Sequence, residues 1–354
     1  MRRNSRQINV GGLLIGGDAP VSVQSMTNIP AHNFAGTAEQ VLALEGAGCD
    51  IVRIAVPDED AAPVFRAVRE AGATVPLVAD IHFDYKIALA ALKWGVNKVR
   101  INPGNIGAEW KVREVADACR LSGVPIRIGV NGGSLERSLL EKYGAPCAEA
   151  LAESALTQAE QLENMGFFDT VISIKSSKIQ TMIEAARIVA RESTYPIHLG
   201  VTEAGTEYSG IIKNSIGIGS LLSDGIGDTL RVSLTADPVR EVFAGKEILK
   251  SLGLITEGIN IISCPTCGRT KIDLIGLSEK FREASARIDT KGKKINVAIM
   301  GCVVNGPGEA READFGIAGG DGFAVLFKDG KTLGRVEEDR VVDTLIEETI
   351  KFIG

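Results

Sequence analysis

Along the first two-thirds of the chain, short β-branched runs alternate with longer amphipathic stretches. The runs are VSVQSM (21–26), DIVRIAV (50–56), PLVADIH (76–82) and KVRINPG (98–104), then PIRIGVN (125–131), TVISIKS (170–176), PIHLGVT (196–202) and TLRVSLT (229–235). Most read as near-continuous apolar segments, the pattern of strands buried on both faces of a parallel sheet. Between them lie helical patterns such as TAEQVLALEGAG, APVFRAVREAG, YKIALAALKWG and AEALAESALTQAEQLENMG. Several end in glycine, where a helix C-cap uses one. Eight such units within about 250 residues predict a TIM (β/α)8 barrel. A doubly wound sheet would absorb the same alternation, but eight regular units and no opening G-x-G-x-x-G favour the barrel.

Around residues 253–262 the rhythm breaks. The remainder of the chain predicts a cysteine pair opening a helix (CGRTKIDLIGLSEKFREASARI), a strand (INVAIMG), and then FGIAGG. A hairpin, FAVLFKDGKTLGRV, turns on Asp-Gly, and a helix, VVDTLIEETIKFI, comes last. The expected organisation is therefore α/β: an N-terminal TIM barrel over 1–255 and a small α+β domain over 256–354. A chain of 354 residues is long enough for two cores.

Composition narrows the chemistry. A formal net charge of −6 and an aromatic content of 5% argue against a nucleic-acid partner. No run of some 18 apolar residues is present, so no membrane span is expected. The basic start MRRNSRQINVGG is followed by no apolar h-region, and six cysteines in this length do not form a secreted disulfide framework. Both point to the cytoplasm.

Against this acidic background the strand ends are cationic: Arg53, Arg100, Arg127, Lys175 and Arg231 each sit where a barrel strand would reach its C-terminal mouth. Gathered there they would repel one another strongly unless anions were present. The pattern predicts a pocket for a multiply charged anion, with diphosphate the natural candidate, gripped by guanidinium forks and by neutral donors from Asn131 and Ser233. The Gly-rich SIGIGSLLSDGIGD (215–228) is a weaker phosphate-cradle signal. A purely structural reading has the ring neutralised by Asp80, Glu203 and Asp228. Glu203, just past a strand end, stands where a general acid belongs, and Asp80 with His82 forms a second candidate pair. His82 and His198 suit packing as well as function.

CPTCGR (264–269) and GCVVNGPGE (301–309) supply three thiols, Cys264, Cys267 and Cys302. A structural zinc site normally closes with a fourth Cys or His, yet 255–354 contains neither beyond these three. An iron–sulfur cluster tolerates an incomplete thiolate set, leaving one iron distinct, and Glu309 lies where it could fold back as a weak fourth ligand. Zinc held with a carboxylate is the alternative, and with it a zinc-stabilised barrel lyase or aldolase acting on a phosphorylated substrate. Cys49, Cys119 and Cys147 fit small buried roles in the barrel.

CPTCGR paired with GCVVNGPGE, together with VRIAVP, ADIHFD, VRINPGN, IRIGVN, HLGVTEAG and LRVSLT, resembles the 4-hydroxy-3-methylbut-2-en-1-yl diphosphate synthase family (IspG or GcpE) in its two-domain bacterial form. The resemblance covers nearly the whole chain, with Thr266 standing where many members carry Ser. It implies reductive dehydration and ring opening of 2-C-methyl-D-erythritol 2,4-cyclodiphosphate to 4-hydroxy-3-methylbut-2-enyl diphosphate, in the non-mevalonate (MEP) isoprenoid pathway. It implies a [4Fe–4S] cluster on Cys264, Cys267, Cys302 and Glu309, with substrate displacing the glutamate. Diphosphate contacts fall on Arg53, Arg100, Arg127, Lys175, Arg231 and Ser233, with Asn131 nearby. Glu203 matches the proton donor, and Asn305 an asparagine that reaches the substrate. The resemblance also implies reduced flavodoxin or ferredoxin as electron donor, and a homodimer in which the cluster domain of one subunit caps the barrel of the other.

Overall fold

The computed structural model describes residues 2–286, 288–303 and 312–354, so Asn305 and Glu309 lie outside the described residues. The chain divides into two compact units, Met1–Leu254 and Ile255–Gly354.

The first unit opens with a hairpin of β1 (Ile8–Val10) and β2 (Leu13–Ile15). Eight parallel strands then close into a barrel in chain order: β3 (Ser22–Met26), β4 (Ile51–Ala55), β5 (Leu77–Asp80), β6 (Lys98–Ile101), β7 (Ile126–Asn131), β8 (Thr170–Lys175), β9 (Ile197–Leu199) and β10 (Thr229–Leu230), which returns to β3. The expected barrel is present. Its last strand is only two residues long, so Arg231 and Ser233 stand beyond it.

Alternation along each strand decides what faces the barrel axis. On β3, Ser25 bonds Glu241 of helix Pro238–Ser251, so Val23 and Ser25 face outward while Gln24 and Met26 face in. The register carries this inner face around the barrel: Met26 lies beside Arg53, Arg53 beside Val78, Asp80 beside Arg100, Arg100 beside Arg127, and Asn131 beside Lys175. Outward positions such as Val52, Ile54, Leu77, Val99, Ile128 and Ile172 are completely buried. Those apolar residues made the strands read as buried runs.

The interior is stratified. TIM barrels usually fill their cores with branched aliphatics. Here only the lowest layer is apolar: Ile51, Val78 and Val171 pack against Ile8, Val10 and Ile15 of the hairpin, which plugs the N-terminal end. Above it the inner positions turn polar. The sequence pattern missed this plug because strands of three residues carry too little periodicity to stand out.

The second unit is a five-stranded sheet in the order β11 (Gly258–Ser263), β12 (Lys294–Met300), β13 (Phe315–Gly319), β14 (Phe323–Lys328) and β15 (Lys331–Glu337). β11, β12 and β13 run parallel, and the last three strands pair antiparallel around the expected Asp329–Gly330 turn. Helices Leu274–Ser285 and Val341–Ile353 bury Phe281, Leu277, Val341 and Leu345 against Ile295, Val297, Phe315 and Ile317. Burying each such side chain contributes roughly 1.5–3 kcal/mol.

Contrary to the sequence expectation, the cysteine pair does not open a helix. Cys264 follows an unforeseen strand, β11, and the helix begins only at Leu274, capped by Asp273, whose side chain accepts from the Gly276 N–H at 3.0 Å. β11 is an edge strand, half-buried or exposed throughout, so it lacks the apolar run that marks the barrel strands.

Candidate active site

At the C-terminal ends of the barrel strands lies a cavity of about 170 Å³, lined by Arg53, Asp80, His82, Arg100, Arg127, Asn131, Ser173, Lys175, Thr202, Arg231 and Ser233. All five predicted cations converge there, with Asn131 and Ser233. Arg53, Arg100, Arg127 and Lys175 are each less than 9% exposed.

Among the described residues, two carboxylates reach this group. Asp80 accepts from Arg100 Nη1 at 3.0 Å and pairs with Arg53 at 3.7 Å. Glu241, from helix Pro238–Ser251, takes the Arg231 fork on both oxygens, at 2.9 and 3.0 Å, and also accepts from the Ser25 hydroxyl and the Leu234 N–H. Five cations against two carboxylates leave a surplus of positive charge out of water.

Among the described residues, the other proposed neutralisers make no ion pair with the ring. Asp228 sits at the plugged end, bonded to Arg2, Ser5 and the Ile197 N–H. Glu203 is exposed on the loop after β9, in the left-handed region at φ 53°. The Gly-rich stretch is mostly helix (Glu207–Ser223), and Gly217 packs on Met182 and Val201, so it cradles nothing at the mouth.

The electrostatics follow from burial. Burial pushes the Lys175 ammonium well below its usual range, and Arg53, Arg231, Arg127 and Arg100 push it further. Arg53 is lowered to about 10, by burial first, with Asp80 opposing. Burial alone would raise the Asp80 carboxyl, but Arg53, Arg100, His82 and Arg127 together hold it well below the ordinary carboxylate range. A carboxylate so engaged suits holding guanidiniums better than donating protons.

Two glycines make room for these cations. A Cβ on Gly129 would lie 2.3 Å from Arg100 Nε, because that guanidinium crosses the β7 backbone and donates to the Gly129 carbonyl. A Cβ on Gly200 would lie 3.4 Å from Lys175 Nζ and 2.7 Å from the Arg231 carbonyl. Beneath the mouth, Gln24, Lys98, Arg127 and His198 form a completely or almost completely buried polar group. Lys98 Nζ, Arg127 Nε and Nη1, His198 Nε2 and both amide atoms of Gln24 have no hydrogen-bond partner among the described residues. Burial, then Arg127 and Arg53, drives Lys98 well below its ordinary range; burial, then Arg127 and Lys175, does the same for His198.

Sequence reasoning missed Glu241, Ser173, Thr202 and Lys98. Nothing near Glu241 marks it. Lys98 did carry a signal, standing two residues before Arg100 in a strand otherwise buried.

In the second unit the three thiols follow the C-terminal ends of neighbouring parallel strands, Cys264 after β11 and Cys302 after β12. All three are free. Cys264 Sγ accepts from the Gly301 N–H at 3.3 Å. The Arg269 N–H, then the Arg269 side chain, favours the Cys267 thiolate. Among the described residues no three Cys, His, Asp or Glu side chains are drawn together as a ligand set. The donor chemistry nevertheless fits a soft-metal group: free thiols, N–H donors aimed at sulfur, and no competing disulfide. A larger cavity in this unit, about 610 Å³, carries Glu312, Asp314 and Asp329 in its lining and does not suit an anion.

Residues 5–246 match the family model of the GcpE TIM-barrel domain, and residues 260–351 that of the GcpE protein C-terminal domain. The chain belongs to the GcpE family. This GcpE-family chain is 54% identical over 346 residues to the 4-hydroxy-3-methylbut-2-en-1-yl diphosphate synthase (flavodoxin) of Clostridium perfringens, covering 98% of each. It is 53% identical over 354 residues to the protein of the same name from Geobacter sulfurreducens, covering 100% of this chain and 99% of that one. Among solved structures, it resembles dihydropteroate synthase from Thermus thermophilus, with TM-score 0.52 and 18% identity over 70% of this GcpE-family chain and 99% of that one. Type I 3-dehydroquinate dehydratase from Clostridium difficile gives TM-score 0.52 at 13% identity, covering 70% and 98%. Those two likenesses concern the barrel fold alone.

Proposed function

We propose that this chain is a 4-hydroxy-3-methylbut-2-en-1-yl diphosphate synthase, catalysing the reductive dehydration and ring opening of 2-C-methyl-D-erythritol 2,4-cyclodiphosphate in the MEP route to isoprenoids, with flavodoxin as electron donor. The observation that carries this is the ring of five cations, four of them buried, with two carboxylates around a cavity of about 170 Å³. Such a ring wants an anion bearing more than one charge, and the diphosphate bridge of the cyclic substrate supplies it.

Each residue then has a task. Arg53, Arg100, Arg127, Lys175 and Arg231 bind the diphosphate, and Asn131 and Ser233 donate to its remaining oxygens. Asp80 and Glu241 hold the guanidiniums in orientation, so that the reacting carbons are fixed before the chemistry begins. Glu203 delivers the proton with which the departing hydroxyl leaves as water. Cys264, Cys267 and Cys302, with Glu309 in our reading, would hold an iron–sulfur group, as [4Fe–4S], which supplies the two electrons the reaction consumes. We extend the reading to Asn305 as a substrate contact, to ferredoxin as an alternative donor, to the cytoplasm, and to a homodimer in which the second unit of one copy caps the barrel of the other.

Anaerobic purification followed by iron, sulfide and zinc analysis tests the cofactor. About four irons and four sulfides per chain are expected; one zinc without sulfide would return the zinc-stabilised lyase. Turnover of the cyclodiphosphate with reduced flavodoxin tests the reaction. Mixing an Arg231→Ala protein with a Cys302→Ser protein tests the dimer, because exchanged heterodimers would regain activity only if the sites are shared.

A further inference from the structure

We infer that Met26 is a positioning residue of the anion pocket, its thioether sulfur serving Arg53 and Arg231 together as a neutral, weak acceptor. The inference rests on reading the mouth as a diphosphate pocket. It comes from one gap in the ring. β4 supplies Arg53 and the segment just after β10 supplies Arg231, and β3 lies between those two strands with no charged side chain on its inner face. At that place stands Met26, in register with Arg53 and inward-facing on the last residue of β3.

The sulfur is bonded from both sides. Arg53 approaches it with Nη2 at 2.9 Å and Nε at 3.2 Å, and Arg231 with Nη1 at 3.8 Å. Arg231 has Glu241 to set its fork. Arg53 has less: the Asp80 oxygen nearest it is 3.7 Å away, and its side-chain hydrogen bonds among the described residues both go to Met26.

What the pocket requires at this position explains the residue. A carboxylate would cancel part of the surplus charge that attracts the ligand and would compete for the same N–H groups. An amide or hydroxyl oxygen would bind those groups more firmly than sulfur does. A purely aliphatic side chain would leave buried guanidinium donors unsatisfied. A thioether is polarisable, accepts weakly and carries no charge. It keeps the two arginines satisfied and apart, and it yields them when phosphate oxygens arrive.

The test is calorimetric titration of inorganic pyrophosphate into the full-length chain, with the thermal midpoint recorded for each protein. Wild type and Met26→Leu are compared with selenomethionine-labelled wild type. We expect Met26→Leu to lose about tenfold in affinity with little change in midpoint, since a Met-to-Leu swap nearly conserves volume. Selenium, also a soft acceptor, should preserve wild-type affinity. If Met26→Leu fails to fold, norleucine-labelled protein, in which methylene replaces sulfur, takes its place with the same expectation. Wild-type affinity in the protein lacking sulfur at position 26 would reduce Met26 to packing and overturn the inference. Failure of wild type itself to bind pyrophosphate would instead overturn the reading of the mouth, and this inference with it.

Discussion

Glu203 occupies backbone space that residues with a Cβ seldom choose. At φ 53°, a non-glycine side chain costs on the order of 1 kcal/mol, and such strain persists where geometry matters more than stability. Glu203→Gly should therefore raise stability by roughly 0.5–1 kcal/mol while abolishing most turnover. Denaturant unfolding and the cyclodiphosphate assay, run on the same protein, check both halves. Lys98 presents the opposite bargain, a buried amine with no carboxylate partner among the described residues. Its pKa is lower folded than unfolded, so between the two values the unfolded chain binds the extra proton and stability falls as pH drops below the ordinary lysine range. Lys98→Met should stabilise by about 1–3 kcal/mol at pH 7, the cost of a buried donor left without a partner, with the gain shrinking as pH rises toward that range. Residues like Arg53 and Lys175 were legible because their place at a strand end had a meaning. Glu241 was not, because a carboxylate in a surface-patterned helix looks the same whether it faces solvent or Arg231.

At the level of elements, the barrel strands announced themselves through their outward faces, which are apolar and packed on helices. Their inward faces hold the chemistry, and the same alternation that made VRIAV or IRIGV look buried concealed that every second residue points to a polar axis. The glycines in IRIGVN and HLGVT belong to this inner face. Gly129→Ala would drive a methyl into the Arg100 guanidinium, and since a β7 backbone fixed by its neighbours cannot yield, the arginine must. We expect pyrophosphate affinity to fall about tenfold or more, with calorimetry as the check. β11 and the β1–β2 hairpin escaped the sequence reading for a different reason: edge position and shortness remove the continuous apolar signal on which strand recognition depends.

For the whole molecule, an acidic chain of net charge −6 concentrates cations at one end of one unit. Its pH behaviour follows from Lys175, whose pKa burial and four arginines hold well below the ordinary lysine range. An arriving diphosphate raises that pKa, so the bound state holds more protons than the free state, and affinity must fall as pH rises toward the ordinary lysine range. Titrations in two buffers of different ionisation enthalpy should show proton uptake on pyrophosphate binding, and Lys175→Met should remove it. The division into barrel and α+β unit could be read from the change of rhythm near residue 255. That Cys264 and Cys302 follow neighbouring strands could not, because β11 carried no strand signal and spacing along the chain does not say which strands pair.

The hairpin beneath the barrel has a further consequence. With Ile8, Val10 and Ile15 seated against Ile51, Val78 and Val171, the interior is a blind-ended well. Whatever reaches the ring enters by the mouth and must retreat the same way, with no back door through the plugged end. The water formed in the reaction and the linear diphosphate product share that exit with incoming substrate, so traffic through it is sequential and departure of the product sets when the next turnover begins.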